Sequence, residues 1–320
     1  MLIIYCASIL DYFLGDPWGW IHPVQLMGWL INLYTNSILN NIDDKLLRKI
    51  AGVILVIGLV IGSGAFTWLL IDITIKINHY FGILIQVILL ASCFAGKSLR
   101  CAAEDVLHFL RKDDLPQARY RLSFYVGRDT DNLSTDEVYR AILETITENT
   151  TDGVTAPLFY ALLGCFVTVI GCVPLAMSYK ALSTLDSMIG YKKEPFTDIG
   201  WFSARLEDYI TWLPCRLTVL TLAIISGNFR KNITECRQYA IKDPSPNSGW
   251  SEGIYAVILG IQLGGENTYK GEKKLKPLLG KPLKKIDQNT IQQALLLARS
   301  CFLLWLFTAT LIFIFMALLQ

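Results

Sequence analysis

The chain has 320 residues, enough for one large domain or two modest ones. Hydrophobic residues make up 53% and charged residues only 18%, against a usual charged share near ~25%, and the mean hydropathy is +0.42. This excludes an ordinary soluble domain in favour of a membrane protein, and a net charge of +2 is too small to recruit nucleic acid.

Residues 1–14 carry no basic n-region and no A-x-A site, so they are expected to stay as a short membrane segment interrupted by Asp11. GDPWGWIHPVQLMG follows, rich in turn residues, and leads into a second apolar helix. Asp16 and His22 stand out there; His22 reads either as a structural histidine or as a group that binds an anion or orients a carboxylate. Lys45, Arg48 and Lys49 precede the long apolar run 50–75, a membrane span, and 81–96 is another, bounded by Lys97 and Arg100. Gly96-Lys97-Ser98 imitates the end of a P-loop, but Ala91 occupies the first required glycine and the upstream residues read as helix, so a Walker A site is rejected. The basic segment 97–127 reads as amphipathic helices on the cytoplasmic side.

The next stretch, RDTDNLSTDEVYRAILETITENTTDG, carries the most chemistry. Ser134 or Thr135 can cap a helix, with Glu137 as the capping-box acid. Arg140, Glu144, Glu148 and Asp152 then recur at every fourth residue, stacking one cation and three carboxylates on one stripe, with Asn149 beside it and Arg128 and Asp129 just ahead. Three acids so spaced repel one another unless Mg²⁺, Lys or Arg faces them. Carboxylates with an Asn at a membrane boundary suit Mg²⁺ carrying phosphate oxygens.

Residues 154–178 are apolar but broken by Pro157, Gly164, Gly171 and Pro174. They are expected to turn back near Gly171–Pro174 as re-entrant half-helices, which returns 179–205 to the cytoplasmic side. In 179–192, Lys180, Thr184, Asp186 and Ser187 group a cation, hydroxyls and an acid suited to phosphate. Arg205 and Asp208 follow; as i,i+3 neighbours they either pair with each other or serve a site. Spans are expected at 209–227 and 294–319, with a polar stretch 228–290 between them. Within it, DPSPNSGWSEG and LGGENTYKG read as loops, and Ser245, Asn247, Ser248 and Asn267 are the candidate anion-binding groups. The seven lysines of 270–285 read as a lipid-facing or solvated loop. The eight cysteines form no CxxC pair and no Cys/His cluster, so reduced, buried thiols are expected.

The fold expected is therefore all-α: a polytopic integral membrane protein of five to six membrane helices, one membrane domain over 1–320, with polar cytoplasmic segments at 97–153 and 228–290.

The segments GDPWGWIHPVQLMG, RDTDNLSTDEVYRAILETITENTTDGVTAPLFY, YKALSTLDSMIGYK, FSARLEDYITWLPCRL and SPNSGWSEGIYAVILGIQLGGENTYKG together resemble the adenosylcobinamide-phosphate synthase family of cobalamin biosynthesis (the membrane-bound cobalamin biosynthesis protein D). They run in the expected order over 11–271. Ser183 stands where Asn is usual, and Glu207 and Thr211 stand where Asp and Asn are usual. The resemblance implies ATP-dependent amide formation between adenosylcobyric acid, a corrinoid substrate, and aminopropanol or its O-phosphate, with the active site facing the cytoplasm from the inner membrane. It implies ATP and Mg²⁺, contact with the lipid bilayer and other membrane-bound enzymes of the pathway, and no nucleic acid. On this basis Glu144, Glu148 and Asp152 are expected to hold Mg²⁺. Lys180, Arg128 and Arg205 would bind phosphates, and Asp186 or His22 would take the amine's proton. A transporter with broken helices, or a scaffold without catalysis, is the alternative on the residues alone.

Overall fold

The computed structural model describes residues 1–15, 22–167, 169–191 and 193–319. In chain order the helices are α1 (Leu2–Phe13), α2 (Pro23–Asn41), α3 (Lys45–Ile77), α4 (His79–Ala91), α5 (Gly96–Leu110), α6 (Leu115–Leu122) and α7 (Thr135–Asn149). A π-helical turn, Thr150–Thr155, leads to α8 (Ala156–Phe166), α9 (Cys172–Ile189), α10 (Trp201–Ile225), α11 (Phe229–Ala240) and α12 (Ser248–Leu259). Strands β1 (Gln262–Tyr269) and β2 (Glu272–Gly280) precede α13 (Gln288–Leu318). The chain is mostly helical, as expected, but the hairpin corrects the wholly helical reading and stands where a loop was expected.

Three helices, α3, α10 and α13, are long and apolar enough to cross a membrane, and a fourth span exists if α4 and α5, bent by 43°, count as one. Length and composition give three or four spans among the described residues rather than the expected five to six: α1 has only 12 residues, about 18 Å of helix against a ~30 Å hydrocarbon core, and α4 has 13. Ile54, Ile57, Ile61, Phe66 and Leu69 on α3, and Phe307, Ile312 and Phe315 on α13, lie exposed, an apolar surface suited to lipid rather than water. A helix, α4, precedes Gly96, so the P-loop strand is absent there.

The chain divides into two compact units. The first comprises Met1–Ala95, Ala156–Thr211 and Ile312–Gln320. Its core holds Ile31, Leu55, Val56, Leu182, Leu185 and Ile189. Asp44 caps α3 by accepting from the Leu47 N–H at 2.8 Å, and Asn78 ends α3 while capping α4. Residues 154–178 make no continuous span: the chain reverses between α8 and α9 at Gly171, whose φ is +89°. Gly164 faces the Gly171 carbonyl so closely that a Cβ there would sit 2.7 Å from the Cys172 Cα. Further from the turn, the rings of Tyr160 and Tyr179 stack at 4.9 Å.

The second unit comprises Gly96–Thr155 and Trp212–Leu311, so both polar segments expected from the sequence belong to it. Leu107, Leu122, Leu143, Ile146, Ile254 and Tyr255 anchor its core. The antiparallel strands pair from Gln262↔Gly280 to Tyr269↔Glu272 across a Lys270–Gly271 turn in which both residues have positive φ, the geometry that matches strand twist. A register shift between Leu263 and Gly265 bulges β1, with Gly264 at φ +81° and Gly265 at φ +92°.

Candidate active site

The acidic stripe starts from a closed capping box: Ser134 Oγ accepts from the Glu137 N–H at 3.3 Å, and Glu137 accepts from the Ser134 N–H at 2.7 Å. One face of α7 meets the bulge of β1. Glu144, 2% exposed, forms an ion pair with Arg128 through one oxygen and accepts from the Gly264 N–H at 2.9 Å through the other. Arg140 donates to the Gly264 carbonyl, to the Glu266 carbonyl at 3.0 Å and to Asn267 Oδ1 at 3.2 Å. Arg128 donates to the same Asn267 Oδ1 at 2.8 Å. Asp129 accepts from the Lys270 and Gly271 N–H groups at 2.9 and 2.8 Å. An arginine and the hairpin backbone thus offset the stripe's repulsion. A Cβ on Gly265 would lie 3.0 Å from Arg140 Nη1, so a side chain there would crowd this approach.

Beyond Asn149 the helix widens into the π turn, so Asp152 sits in a segment whose bonding no longer repeats every fourth residue. The carboxylates Glu144, Glu148 and Asp152, expected as a metal set, do not assemble. Among the described residues no three His, Cys, Asp or Glu side chains come together to hold a metal. Hydroxyls hold α12 against the π turn: Ser251 Oγ donates to the Thr147 carbonyl at 2.6 Å and lies 2.8 Å from Thr151 Oγ1, and Tyr255 donates to Thr150 Oγ1 at 3.3 Å.

One turn into α12 lies Glu252, 1% exposed, with Lys276 Nζ of β2 at 3.6 Å. Neither carboxylate oxygen of Glu252 has a hydrogen-bond partner among the described residues. Burial pushes its carboxyl well above the usual range; Lys276 opposes this, and Glu148, Glu144 and Asp243 add to it. Burial draws the Lys276 ammonium down, but Glu252, Glu148 and Glu144 outweigh it and hold Lys276 charged.

The other expected residues have these places. In the loop before α12, Asp243 Oδ1 accepts from the Ser245 N–H at 2.8 Å, and Ser245 Oγ accepts from the N–H groups of Asn247 and Ser248, both at 3.2 Å. The backbone donors expected to form an anion nest are thus spent inside the loop. Arg216 donates to the Pro246 carbonyl at 2.8 Å and lies over the Trp250 ring. Asn149 is exposed and donates back to the Thr145 carbonyl.

Lys180, Thr184, Asp186, Ser187, Arg205, Asp208 and His22 belong to the first unit. Thr184 and Ser187 donate to carbonyls one turn back, Lys180 and Ser183, and the Arg205 guanidinium lies over Trp201. His22 caps α2, its Nδ1 accepting from the Val24 N–H at 3.2 Å, which matches the structural reading of that histidine. Asp16 lies outside the described residues.

Sequence reasoning placed Arg140 on the stripe without assigning it to the site, and passed over Gly264, Gly265, Glu252 and Lys276. Glu252 was legible as a lone acid entering an apolar helix. Lys276 was one of seven similar lysines until the strand register set it opposite Gly265.

The family described as CobD/Cbib protein matches residues 4–298. The cobalamin biosynthesis protein CobD of Synechocystis sp. is 51% identical over 303 residues, 95% of this chain and 89% of that protein. The cobalamin biosynthesis protein CbiB of Salmonella typhi is 39% identical over 300 residues, 92% of each chain. The CobD of Halalkalibacterium halodurans is 37% identical over 300 residues, 92% of this chain and 91% of that protein. No solved structure matches the chain.

Proposed function

The chain belongs to the CobD/CbiB family, and on that premise we propose that it is an adenosylcobinamide-phosphate synthase of cobalamin biosynthesis. It joins the free propionate carboxylate of adenosylcobyric acid to the amine of aminopropanol or its O-phosphate, driven by ATP, at the cytoplasmic face of the inner membrane. The observation that carries this is the family match along 4–298, joined to relatives named for cobalamin biosynthesis. The charged cluster at α7, β1 and α12 supports it, because an amide-forming reaction handles two anionic partners and one cationic one.

A carboxylate accepts an amine only after activation, so ATP first converts it to an acyl phosphate or an adenylate. Arg128, Arg140 and Lys276 supply positive charge for phosphate oxygens. The residues fit a Mg²⁺ that arrives with nucleotide better than a resident one. Glu144 is committed to Arg128 and Gly264, whereas the Glu148 carboxylate accepts no hydrogen bond from another described residue. Mg²⁺ commonly uses only one or two carboxylates beside phosphate oxygens, and Glu148 would be one of them.

Mass spectrometry tests the reading directly. Purified protein given adenosylcobyric acid, aminopropanol phosphate, ATP and Mg²⁺ is expected to yield the condensed corrinoid with stoichiometric loss of ATP. Uptake of corrinoid into vesicles with no change of mass would replace the reading by transport.

A further inference from the structure

The described residues leave one buried acid whose oxygens are unfilled. Glu252 is 1% exposed, and neither of its oxygens receives a hydrogen bond from another described residue. Its nearest cation, Lys276 Nζ, stands 3.6 Å away, beyond hydrogen-bond length, on a side chain still 32% exposed. Glu148, Glu144 and Asp243 are close enough to act on the same carboxyl. Burying a carboxylate with its lone pairs empty is costly, so the position favours a ligand that brings positive charge and several donors together.

We propose that the Glu252 carboxylate is the seat for the primary ammonium of the amine substrate, with Lys276 as the cation that stands near it in the substrate's absence. The inference rests on the amide-forming reading above. An ammonium carries one charge and three N–H donors, which is what the two empty oxygens lack. A divalent cation fits less well, since no three acidic or histidine side chains converge among the described residues. Lys276 rides on a flexible four-carbon stem and is partly open to solvent, so it can swing from Glu252 as the ligand enters. Glu252 is thus a specificity residue that selects amines over uncharged alcohols.

The test measures equilibrium binding of 1-amino-2-propanol and of 1,2-propanediol to purified protein in detergent, read by isothermal titration calorimetry. The wild type is expected to bind the amine and not the diol. Glu252→Gln is expected to weaken amine binding roughly ten- to hundredfold, the worth of a hydrogen-bonded charge. Lys276→Met is expected to tighten it, because the resident cation is gone, and added amine should raise that variant's unfolding midpoint.

A purely structural ion pair predicts instead that both substitutions weaken binding alike. Unchanged amine binding in Glu252→Gln, or weaker binding in Lys276→Met, overturns the assignment; if Glu252→Gln does not fold, the Lys276→Met result decides alone. Amide formation with an unchanged KM for amine in Glu252→Gln sinks the seat and leaves the reaction standing. The binding pattern without any amide product does the reverse.

Discussion

Arg128 and Glu144 form an ion pair with only 7% and 2% of their side chains exposed, and the second oxygen of Glu144 accepts from the Gly264 N–H at 2.9 Å. The acid stripe of α7 and the hairpin are therefore one structural device. Removing one partner of such a pair leaves a buried charge uncompensated. Arg128→Ala is expected to lower stability by about 3–5 kcal/mol, measured by denaturant unfolding in detergent. Arg128→Lys should fall between, since an ammonium cannot span Asn267 and Glu144 as the guanidinium fork does. A loss near zero in Arg128→Ala would show that the pair adds nothing to the fold.

The bulge supplies a second expectation. Gly264 has φ +81°, and a Cβ there would collide with the Pro277 carbonyl, a backbone atom that cannot step aside. Gly264→Ala is expected to cost about 1–3 kcal/mol and to open the hairpin to limited proteolysis. Gly265→Ala should be milder, because its close neighbour is the far end of the Arg140 side chain. The reverse order of the two variants would contradict the register described for β1.

Glu137 sets a pH dependence. The backbone N–H of Ser134 and then its hydroxyl hold this carboxyl below its ordinary value of 4.5. The folded state thus binds this proton less tightly than the unfolded chain does. Its contribution is complete above pH 4.5 and fades as the pH falls through the lowered folded value. Glu137→Gln should flatten the acid limb of the melting-temperature profile, while Ser134→Ala should cost about 1 kcal/mol at neutral pH.

Glu148→Gln addresses the proposed chemistry. Turnover is expected to be abolished while the yield of membrane-inserted protein stays at the wild-type level. Full activity in this variant would remove the stripe from the mechanism.

Much of the local structure was legible in the sequence. The span helices follow from apolar length, the capping box of α7 from S-x-x-E spacing, and the reversal between α8 and α9 from Gly171 and Pro174. The hairpin was not legible: β1 is polar and glycine-rich and β2 carries lysines and a proline, without the alternation that marks a half-buried strand. From sequence the loop before α12 suits an anion nest, because serine and asparagine offer donors. Those donors were instead taken by Asp243 and Ser245 a few residues away.

What the sequence settled by itself was whatever short-range physics governs: the long apolar spans α3 and α13, the cap of α7, and the i,i+4 stripe carrying Arg140, Glu144 and Glu148. Tertiary structure alone decided which cation meets which acid. The π turn broke the four-residue repeat at Asp152, and the strand register chose Lys276 from seven lysines and set it beside Glu252. Glu144 and Gly264 are 120 residues apart, and no local period encodes a meeting at that separation.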